Sequence, residues 1–562
     1  MVFWYHDKRY NNNRIAELEK DMKYYDFIEE YRRDPSPKPF NFAVDQVDGL
    51  AKREPEKMAM IWLDESGEER RLTYSFFARE SNKAANVLRG LGVKEGDTIV
   101  LMMTRRPEWW ICALAVMKLG AILIPVSSKL TTYDIRYRSG MTPIKAIITE
   151  NDLKGVFDEA SDDLSYVHLY LSYDGGNEKW KNMGELCAAA GEELKDPART
   201  TTESPMIMYF TSGTSGLPKM VRHNYLYAWA HLATSELWHQ ETPDSLQWTI
   251  TDTGWGKLCW GAFIAQWMAE SCIFVYEYKG HFDGKDILRL IEKYHITNFC
   301  APPTVYRLLI VEDIKKYDIS SLRVTTAAGE ALSIPDAQKF KEMTGLDIHE
   351  GYGQTETTIL LGNLPGQYVR NGSLGKAIPG LDVDIVDDNG NRLGPGKEGN
   401  IAVCMNGPWP PGLFHGYLNE EEMNKEVFHH GWYFTRDLGM KDEDGFIWFV
   451  SRSDDVFKSS GYRISPAEVE KALQQHEAVA DSIVIGVPHK LRGNVVKAFV
   501  QLRPGFEPSF LLSKDIQSFV RKNTAPYMYP RLVEFVSDLP KTTNGKKCRW
   551  KMVEIENKKR NG

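Results

Sequence analysis

Thr211-Ser212-Gly213-Thr214-Ser215-Gly216-Leu217-Pro218-Lys219 follows directly on the apolar run Met206 to Phe210. Glycines at that density let backbone amides close around an anion, and the hydroxyls and lysine add donors for phosphate oxygens. The GxxxxGK[ST] spacing of a Walker A loop is absent. Taken alone, the segment reads equally as a phosphate cradle or a flexible turn. Two further groups are bland in isolation. Glu356, closing Glu350-Gly-Tyr-Gly-Gln-Thr-Glu356, reads as a solvated turn carboxylate, and Lys546, closing Pro540-Lys-Thr-Thr-Asn-Gly-Lys546, as a surface charge. The seven cysteines (Cys112, Cys187, Cys259, Cys272, Cys300, Cys404, Cys548) form no CxxC and no ligand-like spacing to histidine. An odd, sparse set in a long chain points to reduced thiols rather than a disulfide framework.

The order of these motifs changes their meaning. The Thr211–Lys219 string, Ala327-Ala-Gly-Glu-Ala331, Glu350–Glu356, Trp432-Tyr-Phe-Thr-Arg-Asp437, Arg452-Ser-Asp-Asp-Val-Phe-Lys-Ser-Ser-Gly-Tyr-Arg463 and Pro540–Lys546 resemble, in sequence order, the motifs of the adenylate-forming superfamily. That superfamily comprises acyl-CoA synthetases, luciferases and peptide-synthetase adenylation domains. The resemblance implies ATP contacts from Thr211, Ser212, Gly213, Thr214, Ser215, Gly216 and Lys219, from Gly329 and Glu330, and from Glu350, Gly351, Tyr352, Gly353, Gln354 and Thr355. It further implies that Asp437 and Arg452 meet the ribose and that Arg463 reaches the terminal phosphates. Glu356 would hold Mg²⁺, for which a carboxylate is the right ligand type. Lys546, Arg463 and Thr355 would carry catalysis, and Asp454 would be the hinge of a mobile C-terminal domain. Arginine stands at position 436 where the family pattern usually has glycine.

The chemistry suits these residue types. A carboxylate attacking the α-phosphorus of ATP brings two anions together, and a lysine bridging them lowers that repulsion as charge is redistributed. The product is an acyl-AMP, which a thiol then attacks. Coenzyme A is the implied acceptor, with Ser460, Gly461 and Tyr462 along the pantetheine path and Arg492, Tyr529 and Arg531 at the nucleotide end. For the two arginines a solvated surface is an equal reading. Trp238, Trp255, Lys257, Trp260, Cys300 and Gly353 fall where the family lines its acyl pocket. Acetate-specific relatives place a tryptophan immediately before the Gln-Thr-Glu triplet. Gly353 stands there instead, so a pocket longer than two carbons is expected, with the tryptophans limiting its length. An apolar pocket does not bury an unpaired ammonium, so Lys257 is expected to snorkel outward or to mark an unusual pocket.

The closest resemblance is to medium-chain acyl-CoA synthetases. It implies an ATP-, Mg²⁺- and CoA-dependent acid–thiol ligase for a short to medium, branched or aryl carboxylate. The alternatives are an aryl-CoA ligase or a stand-alone adenylating enzyme with another acceptor. A peptide-synthetase module would carry a carrier domain after Lys546, and a luciferase its histidine-phenylalanine pocket motif; neither pattern is found.

The elements that must position these residues are legible as α/β layers. Residues 14–32 show helical spacing ahead of a proline-rich stop, giving a lead-in helix. Helical patterns such as Tyr74 to Leu91 and Lys285 to Tyr294 alternate with short apolar runs at Thr98 to Met102, Ala146 to Thr149 and Asn298 to Ala301. That alternation predicts buried parallel strands in two βαβ-layered subdomains up to about residue 375. A small β-barrel-like unit is expected over about 376–450, completing an N-terminal domain of residues 1–453. A mobile α+β domain is expected over 454–562.

At roughly 150 residues per domain, the 562 residues predict three to four packing units, or fewer if large α/β layers share a core. Apolar residues are 42% and charged residues 26%, which excludes collagen-like and wholly disordered classes. A net charge of −8 argues against a nucleic-acid partner. The apolar stretch Ile111 to Val126 is interrupted by Lys118 and Gly120 and reads as a buried helix turning into a buried strand, not a membrane span. The N-terminus lacks a signal-peptide pattern. A cytoplasmic enzyme is expected, with the mitochondrial matrix as the alternative and with room for a homo-oligomer.

Overall fold

The computed structural model describes residues 22–561 except 212–217, 281–282, 331, 454, 456, 460–461, 490–492, 525–527 and 542–546, with the backbone alone at 458, 462, 463, 493 and 561. It divides into two compact units. The first comprises residues up to 211 with 220–383 and 404–425; the second comprises 212–219, 384–403 and 426–562.

The first unit is built on two sheets. One runs, in spatial order, Lys376–Ala377, Ile359–Gly362, Ile348–Gly353, Val324–Ala327, Asn298–Ala301, Leu246–Thr249, Cys272–Glu277, Met58–Asp64 and Glu69–Thr73. Its centre is parallel and its edges are antiparallel. The other runs Trp180–Asn182, Leu169–Ser172, Ala146–Thr149, Thr98–Met102, Ile122–Pro125, Pro205–Thr211 and Lys219–Asn224. Strands such as Ala146–Thr149 and Ile122–Pro125 are buried at every residue, as expected where both faces of a parallel sheet are covered.

Helix Tyr74–Gly90 starts where the Thr73 side chain accepts from the Phe76 amide, and it buries Tyr74, Phe77, Ser81, Ala84, Ala85 and Leu88 along one stripe. Helix Pro107–Lys118 is buried all round. It ends at Gly120, whose φ of +64° turns the chain into strand Ile122–Pro125, as its composition predicted. Lys118, fully buried, donates to Asp48 Oδ1 (2.7 Å), Asn82 Oδ1 (2.7 Å) and the Ala78 carbonyl (3.1 Å). Its three donors are thereby matched by three acceptors.

The lead-in helix is found at Lys23–Arg33; residues 14–21 lie outside the described residues. The helix-like spacing from Leu226 to Leu237 folds as an α-helix, Leu226–Ala230, followed by a π-helical stretch, Ala233–Trp238. The wider π turn is a tertiary adjustment that hydrophobic spacing does not encode.

In the second unit, strands Val383–Val386, Glu398–Cys404, Trp432–Lys441 and Phe428–His429 form a small sheet, with Ile447–Arg452 pairing Trp432–Lys441. Beyond it lie the hairpin Phe457–Ser459 with Tyr462–Ile464, and a three-stranded sheet of Val479–His489, Gly493–Leu502 and Leu532–Phe535. Helices Pro466–Gln474, Phe510–Asn523 and Arg549–Asn561 complete this part.

Candidate active site

In the first unit, strands Asn298–Ala301, Val324–Ala327 and Ile348–Gly353 are consecutive and parallel, with Ala301 opposite Ala327 and Ala327 opposite Glu350. The register brings Cys300, the segment Ala327 to Glu330 and the segment Glu350 to Glu356 to the carboxyl ends of neighbouring strands, where open α/β sheets bind ligands. Gly329 has a φ of +104°, a conformation that disfavours any side chain. Glu350 is buried and accepts from the Leu332 amide at 3.3 Å. The Gln354 amide donates to Thr357 Oγ1 at 3.0 Å. Thr355 is held through its carbonyl, which accepts from His223 Nε2 at 2.7 Å. Burial lowers the His223 pKa to about 3, so the ring is neutral and donates from this one nitrogen.

Glu356 is held from two directions. Its carbonyl accepts from the Phe414 amide at 2.8 Å, and its Oε1 accepts from the Tyr417 hydroxyl at 2.7 Å. Among the described residues no three His, Cys, Asp or Glu side chains gather as a metal-binding group. A single oriented carboxylate nevertheless fits Mg²⁺, which is commonly bound by one or two carboxylates plus substrate phosphates and keeps several waters.

The residues expected to line an acyl pocket lie in the same unit. Trp238 is fully buried and donates to the His349 carbonyl at 3.1 Å. A side chain at Gly351 would place its Cβ 2.6 Å from the Trp238 ring. At Gly353 a Cβ would collide with the Trp260 ring and the Thr358 carbonyl. The missing side chain at Gly353 thus admits the Trp260 indole. The Trp238 and Trp260 rings meet edge to face, centroids 6.2 Å apart. Cys300 is buried in the sheet. Lys257 is half-buried and its ammonium donates to the Ala328 carbonyl at 3.3 Å, beside Gly329. Trp255 is half-buried, and its indole N–H has no hydrogen-bond partner among the described residues.

In the second unit, Asp437 and Arg452 stand opposite each other on antiparallel strands, Oδ1 to Nη1 3.1 Å, with Asp437 only 2% exposed. The preceding residue, Arg436, has a φ of +63°. The backbone at the glycine slot of the family pattern is thus left-handed, and here an arginine adopts it. Its carbonyl accepts from the Ser453 amide at 2.9 Å. Tyr529 lies under two guanidiniums, Arg531 at 4.9 Å and Arg521 at 5.5 Å from the ring centroid, and its hydroxyl accepts from Arg531 at 2.9 Å. In the first unit's sheet Thr211 ends its strand, and Lys219 opens the next and is buried. Tyr462 and Arg463 lie on a hairpin strand opposite Ser459 and Lys458. Ser212, Gly213, Thr214, Ser215, Gly216, Asp454, Ser460, Gly461, Arg492 and Lys546 lie outside the described residues.

Residues 47–418 match the family described as AMP-binding enzyme, and residues 468–546 match its C-terminal domain. The chain belongs to the AMP-binding enzymes. Acyl-coenzyme A synthetase ACSM5, mitochondrial, of Rattus norvegicus is 42% identical over 533 residues, covering 93% of this chain and 92% of that one. Acyl-coenzyme A synthetase ACSM3, mitochondrial, of Homo sapiens is 38% identical over 561 residues, covering 97% and 95%. Among solved structures, the anthranilate CoA ligase AuaEII in complex with anthranoyl-AMP superposes with a TM-score of 0.82 at 27% identity, covering 93% of this chain and 98% of that one.

Sequence reasoning missed several residues of this AMP-binding enzyme. His223 stacks on Tyr227 at 4.0 Å, Tyr227 meets His231 at 4.3 Å, and His239 donates to the Trp260 carbonyl at 3.2 Å while accepting from Thr326 Oγ1 at 3.0 Å. The alternation His223, Tyr227, His231, four residues apart on adjoining segments, was the one available signal. Tyr417 and Arg521 carried none.

Proposed function

We infer that this protein activates a carboxylic acid with ATP and passes the acyl group to coenzyme A. It is an AMP-forming acid–thiol ligase: carboxylate and ATP give acyl-AMP and pyrophosphate, and the CoA thiol then displaces AMP. ATP and CoA are co-substrates and Mg²⁺ the cofactor. The observation that carries this reading is the juxtaposition of Ala327 to Glu330 with Glu350 to Glu356 on neighbouring strands of an AMP-binding enzyme.

In this reading Tyr352 and the strand end at Gly329 flank adenine, and Asp437 accepts the ribose hydroxyls while Arg452 holds its carboxylate in place. Neutral His223 sets the Thr355 backbone without adding charge beside the phosphates. Glu356, oriented by Tyr417, would ligate Mg²⁺, which supplies charge neutralisation on the phosphate oxygens. The Thr211–Lys219 loop and Arg463 bind the departing pyrophosphate, and Lys546 bridges carboxylate and phosphate. Asp454 is the proposed hinge about which residues 455–562 turn to present Ser460 to Tyr462, Arg492, Tyr529 and Arg531 to CoA. The acid is a short- to medium-chain carboxylate bounded by Trp238 and Trp260, branched and aryl acids included. Among the described residues no helix is long and apolar enough to cross a membrane. We assign the enzyme to the cytoplasm, with the mitochondrial matrix as the alternative to be separated by cell fractionation.

Pyrophosphate release should be measured with and without CoA across acetate, butyrate, 2-methylbutyrate, octanoate and benzoate. CoA-dependent turnover with an acid larger than acetate is expected. Acetate as the best acid by kcat/KM would overturn the pocket assignment, and turnover unaffected by CoA would overturn the acceptor.

A further inference from the structure

Glu236 is a buried carboxylate that the proposed chemistry does not use. It stands in the π-helical stretch Ala233–Trp238, and its Oε2 accepts from the amide of Tyr24, 212 residues earlier, at 2.9 Å. Tyr24 is the second residue of helix Lys23–Arg33, whose N-cap residue, Met22, supplies no side-chain cap. Glu236 therefore caps that helix from a different element, at the end where unpaired amides favour an anion. The helix is anchored on its other sides too. The Tyr24 hydroxyl donates to the Pro379 carbonyl at 2.6 Å, Lys23 pairs with Glu270 at 2.8 Å, and Phe27 stacks on Trp229 with ring centroids 5.7 Å apart. A side chain at Gly380 would place its Cβ 3.0 Å from both Ile28 and the Tyr24 hydroxyl. In the other direction the π-helical stretch leads to two tryptophans. Trp238, two residues after Glu236, packs on Gly351 and donates to the His349 carbonyl. His239 comes next: its amide donates to the Thr234 carbonyl, five residues back, at 3.0 Å, and its ring donates to the Trp260 carbonyl at 3.2 Å.

We propose that Glu236 is a positioning residue for the acid site: by tying the π-helical stretch to helix Lys23–Arg33 it sets where Trp238 stands, and with it which acids are accepted. This rests on the reading of Trp238 and Trp260 as the bounds of the acid. The physical reason is packing. Close-packed interiors pass a displacement on to the next side chain rather than absorb it. Trp238 is fully buried, against Gly351 on one side and edge to face with Trp260 at 6.2 Å on another, so a shift of its backbone has to reach both. The π turn itself is a rare geometry that recurs at functional sites. Capping alone accounts for Glu236 less well. A helix start is ordinarily capped by a Ser, Thr, Asp or Asn at its own N-cap position, and a buried carboxylate carries a desolvation cost that such a local cap avoids. That cost is visible here, since burial raises the Glu236 pKa against the opposing Tyr24 amide and Lys23 charge.

The test uses the full chain and reads the ratio of kcat/KM for octanoate to that for butyrate, in which any loss of folded enzyme cancels. Glu236→Met keeps the volume and removes the acceptor. It is expected to change this ratio at least fivefold, with the KM for ATP within twofold of the parent. Combined with Trp238→Ala it should change the ratio no further than Trp238→Ala does, since residues acting through one group are non-additive. Met22→Ser added to Glu236→Met supplies a local cap to the helix without the tie to the π-helical stretch. The urea midpoint should then recover toward the parent while the ratio stays shifted. A ratio that recovers together with stability, an unchanged ratio in Glu236→Met, or additive shifts with Trp238→Ala overturns the proposal. Should Glu236→Met fail to fold, the double variant, whose helix is capped again, decides by the same ratio. The underlying reading is tested apart. Trp238→Ala with an unchanged ratio refutes Trp238 as a bound of the acid and takes the proposal with it, whereas a shifted ratio in Trp238→Ala beside an unchanged one in Glu236→Met refutes the proposal alone.

Discussion

Arg436 is the residue at which local chemistry and family pattern meet most directly. An L-residue in the left-handed region costs roughly 1–2 kcal/mol, and glycine does not bear that cost. Its guanidinium pairs with Glu426 at 3.7 Å. On the backbone conformation alone, Arg436→Gly should gain up to ~1 kcal/mol over the parent, whereas Arg436→Val should be less stable by about 1–2 kcal/mol. Urea unfolding of the two variants checks the sign, and a destabilised glycine variant would show that the side chain matters more than the backbone. Trp260 makes a different prediction. Its ring occupies the space in front of Gly353, so Trp260→Ala should shift kcat/KM toward longer acids by about 10-fold relative to butyrate, as a few buried methylenes allow. An unchanged profile would remove Trp260 from the pocket.

Among elements, the helix Pro107–Lys118 shows how a charge is accommodated in a fully buried segment. Desolvation lowers the Lys118 pKa and raises that of Asp48, and each opposes the shift of the other. The pair joins this helix to Asp48 and to helix Tyr74–Gly90 through Ala78 and Asn82. Lys118→Met should cost about 3–5 kcal/mol because Asp48, with only 15% of its side chain exposed, is left without its cation. Adding Asp48→Asn should recover part of that loss, which a double-mutant cycle in urea measures. Additive losses would mean the two groups act independently. The spacing of apolar residues was enough to place this helix and its turn at Gly120, since periodicity and a positive φ are local properties. The three acceptors around Lys118 come from segments far apart in the chain and had no local signature. The same holds for His223 beneath Thr355 and for Glu236 beside the Tyr24 amide.

At the scale of the whole molecule, buried titratable groups set opposing pH dependences. Burial lowers His223 and His239 to about 3 and His349 to about 4, against an ordinary 6.5. Their folded forms resist protonation, so the stability they contribute is complete above pH 6.5 and is lost as pH falls toward 3–4. Glu241 runs the other way. Burial raises it to about 7, only partly offset by Ser271 and Gln266, which donates to it at 2.7 Å. Its contribution is complete below about 4.5 and is lost as pH rises through 7. Glu241→Gln should therefore gain in urea midpoint relative to the parent between pH 5 and pH 8. A difference independent of pH would show that Glu241 does not change protonation on unfolding.

The residues themselves determined that this chain would build buried parallel strands with covering helices, and their ordered motifs, Glu350 to Glu356, Asp437 and Arg452 among them, resemble those of the AMP-binding enzymes to which it belongs. Both are written locally, in periodicities of two and 3.6 and in short runs of residue types. Tertiary structure alone decided that Trp260 fills the place in front of Gly353, that a neutral His223 carries Thr355, and that Glu236 caps the helix beginning at Lys23. Each of those depends on packing between segments remote in sequence, where close-packed interiors leave one arrangement that the spacing of residues along the chain does not encode.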